Sequence, residues 1–313
     1  MPPIITVLGS LNMDFVVRVD ELPAPGETTL GRDFQMIPGG KGANQACAVG
    51  RIGGKTVQGY MIGRVGYDLF ADQLKASLSS AGVDVSAVQA TKAQPTGVAL
   101  IWVDQRGQNS IVVAPGANHA IAAADVSGHR AAFQGARYAL FQLELPLPVV
   151  AAGLSVARQM AVRTILDPAP AQPLPSDLLA NVDILTPNEQ EACLLLGRSV
   201  ERVEESEYRR AAGALRGLGL RSVILKLGSR GALYFDGDVE IFQPAFAVGA
   251  VDATAAGDVF NGALAVALAE GKPMQLALRF AAAAAAISVT RVGAQSSVPL
   301  RSEVEEFLRS RAS

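Results

Sequence analysis

Ile4-Ile5-Thr6-Val7-Leu8 runs directly into Gly9-Ser10-Leu11-Asn12-Met13-Asp14. The first five residues are mostly branched apolar side chains that stop at a glycine, the pattern of a short strand. The loop that follows lacks the G-x-G-x-x-G spacing of a dinucleotide-binding turn, so a nicotinamide-dependent oxidoreductase is the weakest functional reading. Short β-rich runs recur at 57–62, 138–143, 162–167, 182–186 and 222–227, with helical stretches between them. Strands alternating with helices in this way predict an α/β fold with a mostly parallel central sheet sandwiched by helices. Two segments, 14–37 and 96–114, break the alternation. Phe15 to Val19, Gly97 to Val103 and Ser110 to Ala114 read as strands separated by Pro and Gly turns. They predict a small antiparallel sheet outside the core, so residues 1–313 read as one α/β domain with a β insertion.

Two clusters carry chemistry. Val251-Asp252-Ala253-Thr254-Ala255-Ala256-Gly257-Asp258 leads without a break into a helical stretch, 259–270, whose apolar positions 259, 260, 263, 264, 267 and 268 form one face. Asp258 therefore sits in the first turn of a helix. The small residues Ala255, Ala256 and Gly257 let the unpaired N–H groups of that turn point at an anion. A carboxylate beside such a hole can take the proton of a hydroxyl that attacks phosphorus. The same residues also read as a plain helix cap.

The second cluster is Gly39-Gly40-Lys41-Gly42-Ala43-Asn44-Gln45, after Pro38 and before the small-residue helix 46–53. Its glycines permit close approach of backbone to a ligand, and Lys41 and Asn44, three apart, can share a helical face as hydroxyl-binding groups. A turn with a solvated lysine is the alternative. A Walker A loop is excluded, because the glycine spacing and the following Ser or Thr are missing.

These clusters, in this order, resemble the signatures of the PfkB carbohydrate kinase family, and the match continues almost end to end. Gly9 to Asp14 is similar to the family's opening motif and Leu22-Pro23-Ala24-Pro25-Gly26-Glu27 to its first loop. Thr186-Pro187-Asn188-Glu189-Gln190-Glu191 resembles its Asn-x-x-Glu motif. Phe141-Gln142-Leu143-Glu144, Asp167-Pro168-Ala169-Pro170, Leu227-Gly228-Ser229-Arg230-Gly231 and the stretch 290–299 add further matches. Within the family the likeness points to ATP-dependent phosphorylation of D-ribose at its 5-hydroxyl.

The resemblance implies roles by position. Asp258 is the expected general base, with an anion hole over Ala255, Ala256, Gly257 and Asp258. Asn12, Met13, Asp14, Gly39, Gly40, Lys41, Gly42, Ala43, Asn44 and Glu144 match sugar-binding positions, with Asp14 the main specificity candidate; Glu144 also reads as a surface carboxylate at a strand end. Asn188, Glu191, Lys226, Leu227, Gly228, Ser229, Arg230, Gly231 and Gly257 match the nucleotide side. In isolation, Thr186 to Glu191 also reads as an ordinary helix start. Mg²⁺ is expected with the phosphates. Asp252, Thr254, Ser288, Arg291, Gly293 and Ser297 match a site for an activating K⁺, several through backbone carbonyls. Ala282 stands where many relatives carry His or Asn near the nucleotide. The small sheet is expected to be a lid over the sugar whose outer face joins a second subunit, giving a homodimer. Kinases of deoxyribose, fructose or nucleosides are the rivals in class, and a catalytically silent sugar sensor the rival outside it.

Composition agrees. With 27 Lys and Arg against 29 Asp and Glu, the 313 residues lack the basic excess of a nucleic-acid binder. Met1 to Gly9 has no basic leader, and no uncharged apolar run reaches membrane-spanning length, so a cytoplasmic location is expected. Cys47 and Cys193 read as reduced core residues. His119 and His129, the only histidines, read as surface positions without a metal or triad role.

Overall fold

The computed structural model describes residues 1–106, 108–198 and 207–311; Gly107 of the expected lid, 199–206 and 312–313 lie outside the described residues. The chain begins with β1 (Ile4–Leu8), then β2 (Asn12–Arg18), β3 (Arg32–Gly39), β4 (Gln58–Val65), β5 (Val83–Ala90), β6 (Gly97–Val103) and β7 (Asn109–Ala114). The second half adds β8 (Ala136–Phe141), β9 (Arg163–Leu166), β10 (Ile184–Leu185), β11 (Ser222–Lys226), β12 (Gly231–Phe235) and β13 (Glu240–Pro244). The large sheet has the order β13-β12-β11-β10-β9-β8-β1-β4-β5. From β5 to β11 every pairing is parallel, and β12 and β13 close one edge as an antiparallel hairpin. All six expected core runs are strands of this sheet.

β5, β12 and β13 are additional to the expectation. β5 carries Asp84, Ser86 and Gln89 on a half-exposed edge, so it lacks the apolar run of a buried strand. The β12–β13 hairpin occupies the opposite edge, and it opens at Gly231 with φ of 120°, a left-handed conformation that favours glycine.

The small sheet has the order β3-β2-β6-β7. β2 pairs with β3 and β6 with β7 in antiparallel fashion, and the two pairs join through a parallel β2–β6 seam. β2 begins at Asn12, three residues before the expected strand. Because side chains alternate along a strand, Asn12 and Asp14 share one face while Met13 and Phe15 share the other and pack on the core.

Two apolar clusters fill the layers on either side of the large sheet. One gathers the helices Lys41–Gly53, Ala256–Ala269 and Met274–Ser288. The other gathers Leu147–Gln159 with Phe133, Phe141 and Leu154. Alanines 281 and 283 to 286 lie in Met274–Ser288 and are mostly buried, as close helix packing requires. Among the described residues no helix is long and apolar enough to cross a membrane. Cys47 and Cys193 are buried free thiols; His119 is exposed and His129 half-buried.

The contact between Lys41–Gly53 and Ala256–Ala269 sets the site. A Cβ on Gly262 would stand 2.5 Å from the Cβ of Ala48 and 2.9 Å from the carbonyl oxygen of Gln45. Only a glycine lets the helices meet at this distance. Gly262→Leu should cost about 1–3 kcal/mol, the usual penalty for overpacking, measured by urea unfolding; an unchanged midpoint would contradict this packing.

Candidate active site

β1 neighbours β4 on one side and β8 on the other, and the chain reverses its direction of travel across the sheet there. Ligands of open α/β sheets bind outside the carboxyl ends of the strands at such a switch point. The sequence places polar residues at these ends: Ser10 and Asn12 after β1, Gln142 and Glu144 after β8, Asp167 after β9, Asn188 after β10 and Lys226 at the end of β11.

Gly40 introduces the helix Lys41–Gly53 with φ of 88°, and a Cβ there would lie 2.7 Å from the backbone nitrogen of Asn12. The helix starts at Lys41, five residues earlier than expected, so Lys41, Asn44 and Gln45 project from its first turn. Glu144 accepts from the Lys41 N–H at 3.0 Å and from the Ser10 hydroxyl, which ties the helix start to β1 and β8. That excludes the reading of Glu144 as a free surface carboxylate. Asn12 is oriented by Asn118, whose Nδ2 donates to Asn12 Oδ1 at 2.7 Å. Asp14 faces Gly39, where a Cβ would stand 2.1 Å from its Oδ2.

Asp258 is 5% exposed in the first turn of Ala256–Ala269. Its Oδ2 accepts from Asn44 Nδ2 at 3.1 Å and its Oδ1 from Gln45 Nε2 at 3.0 Å. Asn44 Oδ1 is buried with no partner among the described residues, an acceptor open to a ligand hydroxyl. Ala255 caps the helix in the left-handed region, φ 59° and ψ 9°. The N–H groups of Ala255, Gly257 and Asp258 meet no acceptor among the described residues, whereas Ala256 donates to Ala253 O at 3.2 Å. Three of the four expected hole donors are therefore open.

Charge is concentrated here. Burial pushes the Asp258 carboxyl up to about 6, with Asp167 adding to the rise while Lys41, Gln45 and Asn44 oppose it. Burial, then Glu144 and Asp258, push Asp14 up to about 7 against the pull of Lys41. Burial alone would lower the Lys41 pKa, but Asp258, Asp167, Glu144 and Glu191 outweigh it and raise it. Lys226 is raised in the same manner, burial being outweighed by Asp167, which accepts from its Nζ at 2.8 Å, and by Glu191.

On the other side of the Asp258 turn lies a mainly apolar cavity of about 440 Å³. Lys226, Gly228, Ser229, Gly231 and Gly257 line it together with Phe246, Phe260 and Ala282. Leu227 is buried in the core and Arg230 turns away to pair with Glu189, so neither lines it. Asn188 caps the helix Glu189–Leu195 and exchanges hydrogen bonds with Glu191. Glu191 is nevertheless buried among Lys226, Asp167 and Lys41, so this helix start also faces the charged cluster.

Asp252 joins two loops by accepting from Thr254 N and Gly293 N, each at 2.9 Å. Ser288 and Ser297 donate to the carbonyls of Ala285 and Ala294, and the Arg291 guanidinium pairs with Glu303. Sequence reasoning did not single out Asn118, Gln45, Gln142 or Asp167 as functional residues. Gln142 and Asp167 lie at the ends of the expected runs 138–143 and 162–167, directly after β8 and β9, and the strand-end rule was the signal for both.

Two carboxylates with raised folded pKa values bind protons that the unfolded chain has lost, so they lower stability as pH rises through about 7. Asp14→Asn should therefore melt at higher temperature than the parent at about pH 8, with the difference shrinking by about pH 5. A lower melting temperature at both pH values would refute this electrostatic picture.

The sequence pattern of the pfkB family carbohydrate kinases matches residues 4–301. The chain is 41% identical over 304 residues to the ribokinase of Haemophilus influenzae, covering 97% of this chain and 98% of that one. It is 33% identical over 305 residues to a deoxyribokinase of Salmonella typhi, with 97% and 98% covered. Among solved structures, the ribokinase of Arabidopsis thaliana complexed with ribose and ATP superposes with a TM-score of 0.89 at 35% identity over 99% of each chain. Fold, site geometry and sequence agree that this chain belongs to the PfkB family of carbohydrate kinases.

Proposed function

We propose that this enzyme transfers the γ-phosphoryl group of ATP to the 5-hydroxyl of D-ribose, giving ribose 5-phosphate and ADP. One observation carries the reading: Asp258 stands between the Asn44 side and an apolar cavity, beside three open N–H groups. Asn12, Asp14, Gly39, Gly40, Lys41, Asn44 and Glu144 hold the sugar hydroxyls on one side of it. Met13, Gly42 and Ala43 shape that pocket as backbone and packing. A Cβ on Gly42 would lie 2.5 Å from Ser10 N. The adenine occupies the cavity, with Lys226, Gly228, Ser229, Gly231 and Gly257 leading its phosphates toward Asp258. With Ala282 in its wall, the cavity offers little polar discrimination of the base.

In the reaction Asp258 takes the 5-hydroxyl proton as the oxygen attacks the γ-phosphorus, the bond to the β-phosphate oxygen breaks, and ADP leaves. The N–H groups of Ala255, Gly257 and Asp258 stabilise the equatorial oxygens. Among the described residues no three Asp, Glu, His or Cys side chains converge on a metal point. Asn188 and Glu191 thus suit a magnesium ion held through water and the phosphates themselves, which supplies charge neutralisation when bound. Asp252, Thr254, Ser288, Gly293 and Ser297, with Arg291 through its backbone alone, would hold a potassium ion through oxygen donors. A bound ion would stiffen the loop that ends in the hole.

The lid is the β3-β2-β6-β7 sheet. Its outer strand β7 exposes Ile111, Val112 and Val113, an apolar edge that a second copy of the chain would cover to make a homodimer. Buried thiols, with Cys47 pushed up to about 12 by burial, suit a reducing cytoplasm.

Asp258→Asn should keep ribose binding, by calorimetry, yet lose at least ~100-fold in turnover, read by coupled ADP release. A near-normal rate would exclude Asp258 as the base. Replacing potassium by sodium in that assay should lower kcat severalfold, and equal rates in both salts would remove the cation from the account.

A further inference from the structure

One buried amide joins the proposed base to the nucleotide side of the cleft. Gln45 is fully buried, and its Nε2 donates to Asp258 Oδ1 at 3.0 Å and to Asp167 Oδ2 at 3.1 Å. An amide nitrogen carries two hydrogens, one for each carboxylate. Its orientation is set from behind: Gln45 Oε1 accepts from Gln142 Nε2 at 2.7 Å. With the oxygen held by a donor, the amide can offer only N–H to the carboxylates. Gln142 finds room because residue 9 is glycine, where a Cβ would lie 2.2 Å from Gln142 Oε1. The second oxygen of Asp167 accepts from Lys226, which lines the nucleotide cavity.

We propose that Gln45 is a positioning residue for phosphoryl transfer: held by Gln142, it aims the Asp258 carboxylate and bridges it to the Asp167–Lys226 pair. The proposal rests on Asp258 being the base. The charged groups facing Asp258 are Lys41 and Lys226, which favour its carboxylate, and Asp167 and Asp14, which oppose it. A hydrogen bond donated to the charged form favours that form. Without the Gln45 donor, no N–H lies between the two carboxylates, and Asp258 holds its proton to higher pH. The base is then both less often ionised and less well aimed.

The test compares Gln45→Met, which keeps the volume and removes the donor, with Gln142→Met, which only releases the amide. Steady-state ADP release with ribose is followed from about pH 5 to about pH 9, and ribose binding is measured by calorimetry. Gln45→Met should lower kcat about 10- to 100-fold, leave the KM for ribose within about threefold and move the acid limb of kcat to higher pH. Gln142→Met should do the same to a smaller degree. The double variant should be no worse than Gln45→Met, because Gln142 acts through Gln45.

Wild-type kcat with an unmoved acid limb in Gln45→Met would overturn the proposal, as would losses confined to KM or a fully multiplicative double variant. If Gln45→Met does not fold, the acid limb of Gln142→Met decides alone. An active Asp258→Asn would instead overturn the base assignment, whereas an inactive Asp258→Asn beside unaltered glutamine variants overturns only the role of Gln45.

Discussion

The approach of the helices Lys41–Gly53 and Ala256–Ala269 is the constraint from which the rest follows. Gly262 against Ala48 sets their separation, and that separation puts Asn44 and Gln45 in hydrogen-bonding reach of Asp258. Each helix begins in the cleft with a residue at positive φ, Gly40 and Ala255. Helix starts leave N–H groups unpaired, so bringing two together beside the carboxyl ends of parallel strands makes a place for phosphate and sugar oxygens. The polar network at the centre of the molecule is thus a product of apolar packing a turn or two away.

That network is held under electrostatic tension. Asp14, Glu144, Asp167, Glu191 and Asp258 surround two ammonium groups, Lys41 and Lys226. Burial raises Asp14 and Asp258, and the two lysines keep the cluster from neutralising itself entirely. Such an arrangement costs stability that the apolar clusters must offset, a familiar trade at functional sites. It also explains why the site is built on rigid elements. The proposed base works only if the neighbours that orient it stay in place.

The central sheet was legible because a strand buried on both faces must be an apolar run, and Ile4–Leu8, Ala136–Phe141 and Ser222–Lys226 are such runs. β3 was not, since Arg32–Gly39 is largely exposed and ends in Pro38-Gly39; nor was β5, whose polar residues suit an edge. In the site, Asp258, Lys41 and Asn44 were visible through their glycine-rich and small-residue contexts. Gln45 and Asn118 were not, because an amide that acts by orienting a second side chain has no local pattern. Its partners lie 97 and 213 positions away in the case of Gln45, and 106 away for Asn118. Arg230 shows the opposite limit: its place in a matching motif suggested a ligand contact, while the structure turns it toward Glu189.

In the proposed mechanism one carboxylate, Asp258, serves a sugar on one side and a nucleotide on the other. The most direct test is ³¹P NMR of the products formed from ATP, D-ribose, Mg²⁺ and K⁺. It predicts ribose 5-phosphate and ADP in equal amounts. ADP accompanied by free phosphate, or a sugar phosphate substituted at another oxygen, would contradict the placement of the 5-hydroxyl at Asp258.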